Sequence, residues 1–77
     1  MTEGYEALQQ VLIHDSNVKS VAYNESTCSM VVIFGGGSTW RYPSVKPEVF
    51  DNVQKQQSGL VVLEEIRHNN LVGVRLR

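Results

Sequence analysis

The chain of 77 residues contains one cysteine, two prolines and one tryptophan. A single cysteine, Cys28, excludes an intramolecular disulfide and is typical of a reducing cytoplasm. No run reaches the roughly 18 apolar residues that a membrane helix needs. The acidic first six residues differ from the basic start of a secretory signal peptide. We therefore expect one cytoplasmic domain over residues 1–77, with no membrane partner.

The sequence also lacks a strong excess of either charge, with seven Lys and Arg against eight Asp and Glu. A general nucleic-acid binder usually has a basic excess, so bulk attraction of a polyanion is a poor explanation for this chain. The charges are unevenly placed, however. Residues 1–40 carry one lysine and four acids, whereas residues 41–77 carry six bases and four acids. The second half can therefore form a basic patch of modest strength.

The common catalytic motifs are absent: there is no serine elbow, carboxylate pair or HExxH motif. Gly35–Gly37 is followed by neither the Lys-Ser/Thr pair nor the helix of a phosphate loop. His14, His68 and Cys28 are too few and too widely spaced for a zinc site. We expect a non-enzymatic protein with no metal and no cofactor.

Alternating apolar residues predict strands over 18–23 and 28–34, joined by a short loop. Cys28 falls on one face with Met30 and Val32, which predicts a small buried hydrophobe. Gly35–Gly37 predicts a flexible turn into a strand around Trp40. The expected result is a three-stranded antiparallel meander. Residues 1–10 are ambiguous, because near-helical spacing of apolar residues favours a short helix while 11–13 suits a strand.

The second half predicts helices followed by a strand. Pro47 suits the start of a helix whose apolar stripe is Val49, Phe50 and Val53. After Ser58-Gly59, the spacing of Leu60, Leu63 and Ile66 favours a second helix. Val72, Val74 and Leu76 then alternate with Gly73, Arg75 and Arg77, which predicts a terminal strand. The fold class is α+β: a meander covered by one or two helices, with an extra C-terminal strand.

The order of these motifs resembles the KTSC domain, which is found at the C-terminus of some lysyl-tRNA synthetases and as a small stand-alone protein of bacteria and phages. The resemblance covers residues 11–67, so 1–10 and 68–77 are extensions. It is carried by an ordered set of short motifs: Ser16–Tyr23, Val32–Gly37, Trp40-Arg41-Tyr42, Val45–Phe50, Ser58-Gly59 and Ile66-Arg67. The family usually has Tyr-x-Tyr where this chain has Trp40 and Tyr42, a change that a stacking role tolerates. The resemblance implies RNA binding as a suggested role.

Aromatic and basic side chains are the candidate site residues. Trp40 and Tyr42 either stack on bases or pack under the first helix, and core packing is the commoner fate of large aromatics. Arg41 and Arg67 have guanidinium forks that match phosphate, and we expect them on one exposed surface. An ion pair of Arg67 with Glu64 or Asp51 is the alternative. Arg75 and His68 complete the candidate set.

Three functions are compatible with these residues. The first is a binding module for a phosphate-bearing ligand, either RNA or a nucleotide. The second is a protein-interaction or self-assembly module that uses an unpaired strand edge. The third, which rests on the occurrence of the family in phages, is a phage protein that sequesters a host nucleotide signal in pockets between subunits. A small core and an apolar terminal strand that needs a neighbour predict a homo-oligomer.

Overall fold

A computed structural model describes residues 8–13 and 15–77. It contains five strands and two helices, which confirms the α+β class. In chain order these elements are β1 (Leu8–Leu12), β2 (Val18–Asn24), β3 (Ser29–Phe34), β4 (Thr39–Tyr42), α1 (Pro47–Gln56), α2 (Gly59–His68) and β5 (Val74–Arg75).

The five strands form one antiparallel sheet in the order β1-β2-β3-β4-β5. Short connections join β1 to β2, β2 to β3 and β3 to β4, whereas the connection from β4 to β5 contains both helices. Gly37 lies in the left-handed region (φ 99°) in the turn between β3 and β4. The turn is closed by the bond from the Gly37 N–H to the Phe34 carbonyl, 2.9 Å long. The predicted glycine turn is thus confirmed.

Both helices pack on one side of the sheet and enclose the core. Helix α1 begins at Pro47, as predicted, and buries its stripe of Val49, Phe50 and Val53. The Phe50 ring stacks on Tyr23 of β2, with centroids 5.1 Å apart and planes at 12°. The Tyr23 hydroxyl donates to the Val45 carbonyl at 2.7 Å, so this buried polar group is satisfied.

Helix α2 buries a different stripe from the predicted one. Leu60 is 61% exposed, whereas Gly59 and Val62 are buried. Ile66 is partly buried against the core. The spacing of Leu60, Leu63 and Ile66 identified the helix but assigned its inner face incorrectly, because the run Leu60–Leu63 is apolar all round and does not define a direction.

The structure decides between the helix and the strand that the sequence left open at the start of the chain. Leu8–Leu12 is a strand paired with β2, because backbone pairing overrides a weak local pattern. Residues 1–7, including Tyr5, lie outside the described residues. The prediction of a buried Cys28 was wrong: the residue is exposed and lies in the turn before β3, with φ at 54°.

The predicted terminal strand is present but short, and it pairs within the chain. Trp40 and Arg41 of β4 face Arg75 and Val74 of β5. The Leu76 N–H also donates to the Thr39 carbonyl at 2.7 Å. The tail therefore does not need a neighbour from another chain, which was one of the reasons for expecting a homo-oligomer.

Candidate ligand-binding face

The register of the sheet divides the candidate residues between its two faces. One row across the sheet contains Val11, Val21, Val32, Trp40 and Arg75, and its three valines are core residues. The neighbouring row contains Gln10, Ala22, Val31, Arg41 and Val74. Because successive residues of a strand point to opposite faces, the second row points away from the helices.

We call this second side the open face, since none of the described helices covers it. It consists of Gln10, Leu12, Ala22, Val31, Ile33, Thr39, Arg41, Val74 and Leu76, together with Arg77 at its edge. A cavity of about 570 Å³ lies on it between Gln10 on one side and Leu76 and Arg77 on the other. Ala22, Val31 and Ile33 line this cavity. The small side chain of Ala22 leaves the depression between taller neighbours.

The open face carries positive charge without any acid from the described strands. Arg41 is exposed and makes no hydrogen bond or ion pair with a described residue. Arg77 lines the cavity beside Leu76. The acids of the second half lie in the helices, at Glu48, Asp51, Glu64 and Glu65. The face is thus an apolar surface with two guanidinium groups that no acidic side chain within 8–13 and 15–77 neutralises.

The two aromatic candidates lie on the helix-covered side. Tyr42 is buried, and burial raises the pKa of its hydroxyl. Gly73 packs directly on the Tyr42 ring: a Cβ at Gly73 would lie 2.5 Å from Cε2. Trp40 is partly buried against the core. The sequence left open whether these aromatics stack on bases or pack in the core. Tyr42 packs in the core, and only part of Trp40 is accessible.

Arg67 and His68 lie at the C-terminal end of α2, where positive charge suits the helix dipole. Arg67 is exposed and forms no ion pair with Glu64, Asp51 or any other described residue, and Asp51 pairs with Lys55 at 3.3 Å. The sheet separates this helix layer from Arg41. The structure therefore does not bring Arg41 and Arg67 onto one surface, and Arg75 falls in the same row as Trp40.

A second cavity, of about 320 Å³, lies beside α1. Its apolar floor is the stacked pair of Tyr23 and Phe50, and its rim includes Glu48 and Asp51. Burial, followed by a hydrogen bond with Cys28, raises the pKa of Tyr23. Within 8–13 and 15–77, no group of three His, Cys, Asp or Glu side chains could hold a metal ion. His14 lies outside the described residues.

Sequence reasoning missed the apolar floor of the open face. The alternation in β3 puts Val31 and Ile33 on the second face, and apolar character on both faces indicates a central strand, which β3 is. The missing information was on which side the helices pack. For Arg77 the sequence left open whether the side chain adds to a basic patch or is a loose, solvated terminus, and the pairing of the tail with β4 places it beside the cavity.

None of the described helices is long and apolar enough to span a bilayer. No curated protein matches the chain. The family model described as KTSC domain matches residues 14–59. This range runs from the loop before β2 to the first residue of α2, and so contains β2, β3, β4 and α1. The match covers more than half of the 77 residues, and the chain belongs to the KTSC domain family.

Proposed function

We propose that the protein is a non-enzymatic binding module that holds a phosphate-bearing ligand on its open face. The observation that carries this proposal is the exposed Arg41, which has no described acid on its own face. An unpaired guanidinium is a strong donor for phosphate, because its planar fork matches two phosphate oxygens. Arg77 supplies a second cation on the same face, at the edge of the cavity that Val31 lines beside Arg41 in the sheet register.

In this proposal a few side chains at fixed positions on the open face hold the ligand, and the net charge of the chain contributes little. The net charge of the chain is −1, so long-range attraction of a polyanion is weak. The apolar floor of Ala22, Val31 and Ile33 offers contact area for a nucleobase or ribose but no aromatic ring for stacking. A nucleotide or a short RNA segment that places its phosphate on Arg41 uses both properties of the face.

Self-association is a second candidate, favoured by the outer edge of β1, with which no described strand pairs and which the next subsection considers. The sequestration of a nucleotide signal between subunits would combine the two functions. It predicts that a mononucleotide raises the melting temperature of an oligomer, with an effect that grows with ligand concentration. RNA binding predicts affinity that falls steeply with salt.

The experiment measures the affinity of a fluorescein-labelled single-stranded RNA of roughly ten nucleotides by anisotropy. Loss of a charged hydrogen bond costs about 1.5–3 kcal/mol, so Arg41→Ala should weaken binding roughly tenfold to hundredfold. Arg67→Ala is the matched control, since both arginines are exposed and form no ion pair with a described residue but lie on opposite sides of the sheet. Equal losses would indicate non-specific attraction, and unchanged affinity for Arg41→Ala would reject the open face as the site.

A further inference from the structure

We infer that the chain forms a two-fold dimer in which β1 pairs with β1 of a second copy. Among the described residues no strand lies beyond β1, whose one neighbour is β2. Natural proteins protect such edges with charges, prolines, bulges or very short strands. β1 has none of these features: its five residues are Leu-Gln-Gln-Val-Leu, and its register with β2 is continuous.

The hydrogen bonds of the sheet show which backbone groups of β1 point outward. The Ile13 N–H donates to the Lys19 carbonyl at 2.9 Å. In an antiparallel ladder the residues alternate between facing the partner strand and facing away from it. Along the register, Val11 therefore bonds to β2, whereas Gln10 and Leu12 direct their N–H and C=O groups to the free edge. The same alternation places the backbone groups of Leu8 at this edge.

A second copy fits this edge without electrostatic cost. With a two-fold axis at Gln10, this residue lies opposite its own copy, and Leu8 lies opposite Leu12. Each facing pair then exchanges both backbone hydrogen bonds. No charged residue of β1 meets a like charge across the axis, because the strand has none. Leu12 is 59% exposed in one chain and lies next to the axis, where the second copy would cover it.

The opposite edge is a weaker candidate for the same interaction. β5 has only two residues, Val74 and Arg75, so it offers a much shorter ladder than β1. An isologous contact at β5 would also bring Arg75 near its own copy, where the like charges repel. Both arguments favour the β1 edge for a second copy.

The dimer would join the two open faces into one surface. Gln10 lines the cavity on the open face and lies at the proposed axis, so the second copy contributes its own Gln10 to the same cavity wall. Arg41 is on the fourth strand of each sheet, so the joined surface has two apolar stretches, one from each chain, that meet at the Gln10 pair and end at two cations. Only this last consequence rests on the proposed function.

The test is the solution mass of the full chain without ligand, by sedimentation equilibrium at tens of micromolar. We expect twice the 8.7 kDa of one chain. Gln10→Pro removes an outward N–H that β2 does not use, and should give a monomer with unchanged circular dichroism. Gln10→Lys places like charges at the axis and should also give a monomer. Gln54→Lys, an equal charge change on the exposed side of α1, should remain a dimer.

Each outcome decides the proposal. A wild-type monomer at these concentrations overturns it, and so does a dimer that persists in Gln10→Lys. If Gln10→Pro unfolds, the Gln10→Lys and Gln54→Lys pair gives the answer alone. Because no ligand is present and Arg41 is unchanged, failure here is distinct from failure of ligand binding.

Discussion

The carboxylate of Asp15 caps a helix that begins 44 residues further along the chain. Its Oδ2 accepts the Gly59 N–H at 2.7 Å, at the first residue of α2. Its Oδ1 accepts the N–H groups of Asn17 and Val18, at 2.8 and 3.0 Å. Ser58 occupies the N-cap position but makes no side-chain cap bond. One carboxylate therefore shapes a local turn and fixes the helix layer to the sheet.

Asp15→Asn should separate these two roles. An asparagine can keep an oxygen for Asn17 and Val18, but its amide group then faces the Gly59 N–H, and two donors repel. We expect a lower melting temperature, and a larger decrease for Asp15→Ala, which loses all three bonds. Asp51→Asn, which removes an exposed carboxylate paired with Lys55, is the control and should have little effect. Equal melting of wild type and Asp15→Asn would contradict the capping role.

The same contact predicts a pH dependence. The backbone N–H groups of Val18, Gly59 and Asn17 lower the pKa of Asp15 from its ordinary value of 3.8. A carboxyl group with a lowered pKa in the fold contributes stability at pH values above the unfolded pKa, and this contribution is lost as pH falls through the folded pKa. Urea unfolding is measured from pH 6, which is about two units above that pKa, down to lower pH. The free energy of unfolding of the wild type should exceed that of Asp15→Asn at the higher pH values, and this excess should be lost only below about pH 3.8. A constant difference across the range would contradict this.

Phe50 is the side chain that holds α1 on the sheet. It is 3% exposed and stacks on Tyr23. Phe50→Ala should cost about 3–5 kcal/mol, which is comparable to the whole stability of a small domain. Leu60→Ala removes an exposed apolar side chain and should change stability by less than about 0.5 kcal/mol. Thermal melting of the two variants makes the comparison, and similar values would show that α1 does not pack as described.

Gly73 is required because the chain passes directly over Tyr42. A methyl group there meets the ring at 2.5 Å, so Gly73→Ala should cost about 1–3 kcal/mol and displace β5 from β4. Gly36 has nothing within 4 Å of an added Cβ and a φ outside the left-handed region, so Gly36→Ala is a matched control with little effect. Amide hydrogen exchange of Leu76, whose N–H bonds to Thr39, reports the displacement. Unchanged protection in Gly73→Ala would count against the contact.

Local patterns were sufficient to predict much of this fold. The alternation in β3 and the proline at the start of α1 each act within a few residues, and both predictions were confirmed. The bond between Asp15 and Gly59 could not be predicted, because it joins residues distant in sequence and only the folded chain brings them together. The requirement for glycine at position 35 also comes from residues distant in sequence. A Cβ at Gly35 would clash with the Ser16 carbonyl, so this glycine is needed for the approach of the loop at Asp15 as well as for the turn.

The candidate site was less predictable than the fold. Alternation along a strand is enough to place Arg41 on the face opposite Trp40 and Tyr42, as the register of β4 has it. It could not show whether Arg41 and Arg67 share a surface. That depends on the side of the sheet on which α2 packs, which is set by the path of the chain after β4. The apolar floor around Val31 was missed for the same reason, since a residue pattern shows that a face is apolar but not what covers it.

The most direct test of the open face is an NMR titration of the ¹⁵N-labelled protein with a short single-stranded RNA and, separately, with a mononucleotide. If the phosphate lies on the open face, amide shifts should concentrate at Ala22, Val31, Arg41 and Val74 and leave the end of α2 unchanged. These shifts should be absent in Arg41→Ala. Shifts confined to Arg67 and His68 would place the ligand on the helix layer, and the account of the open face as the binding surface would be wrong.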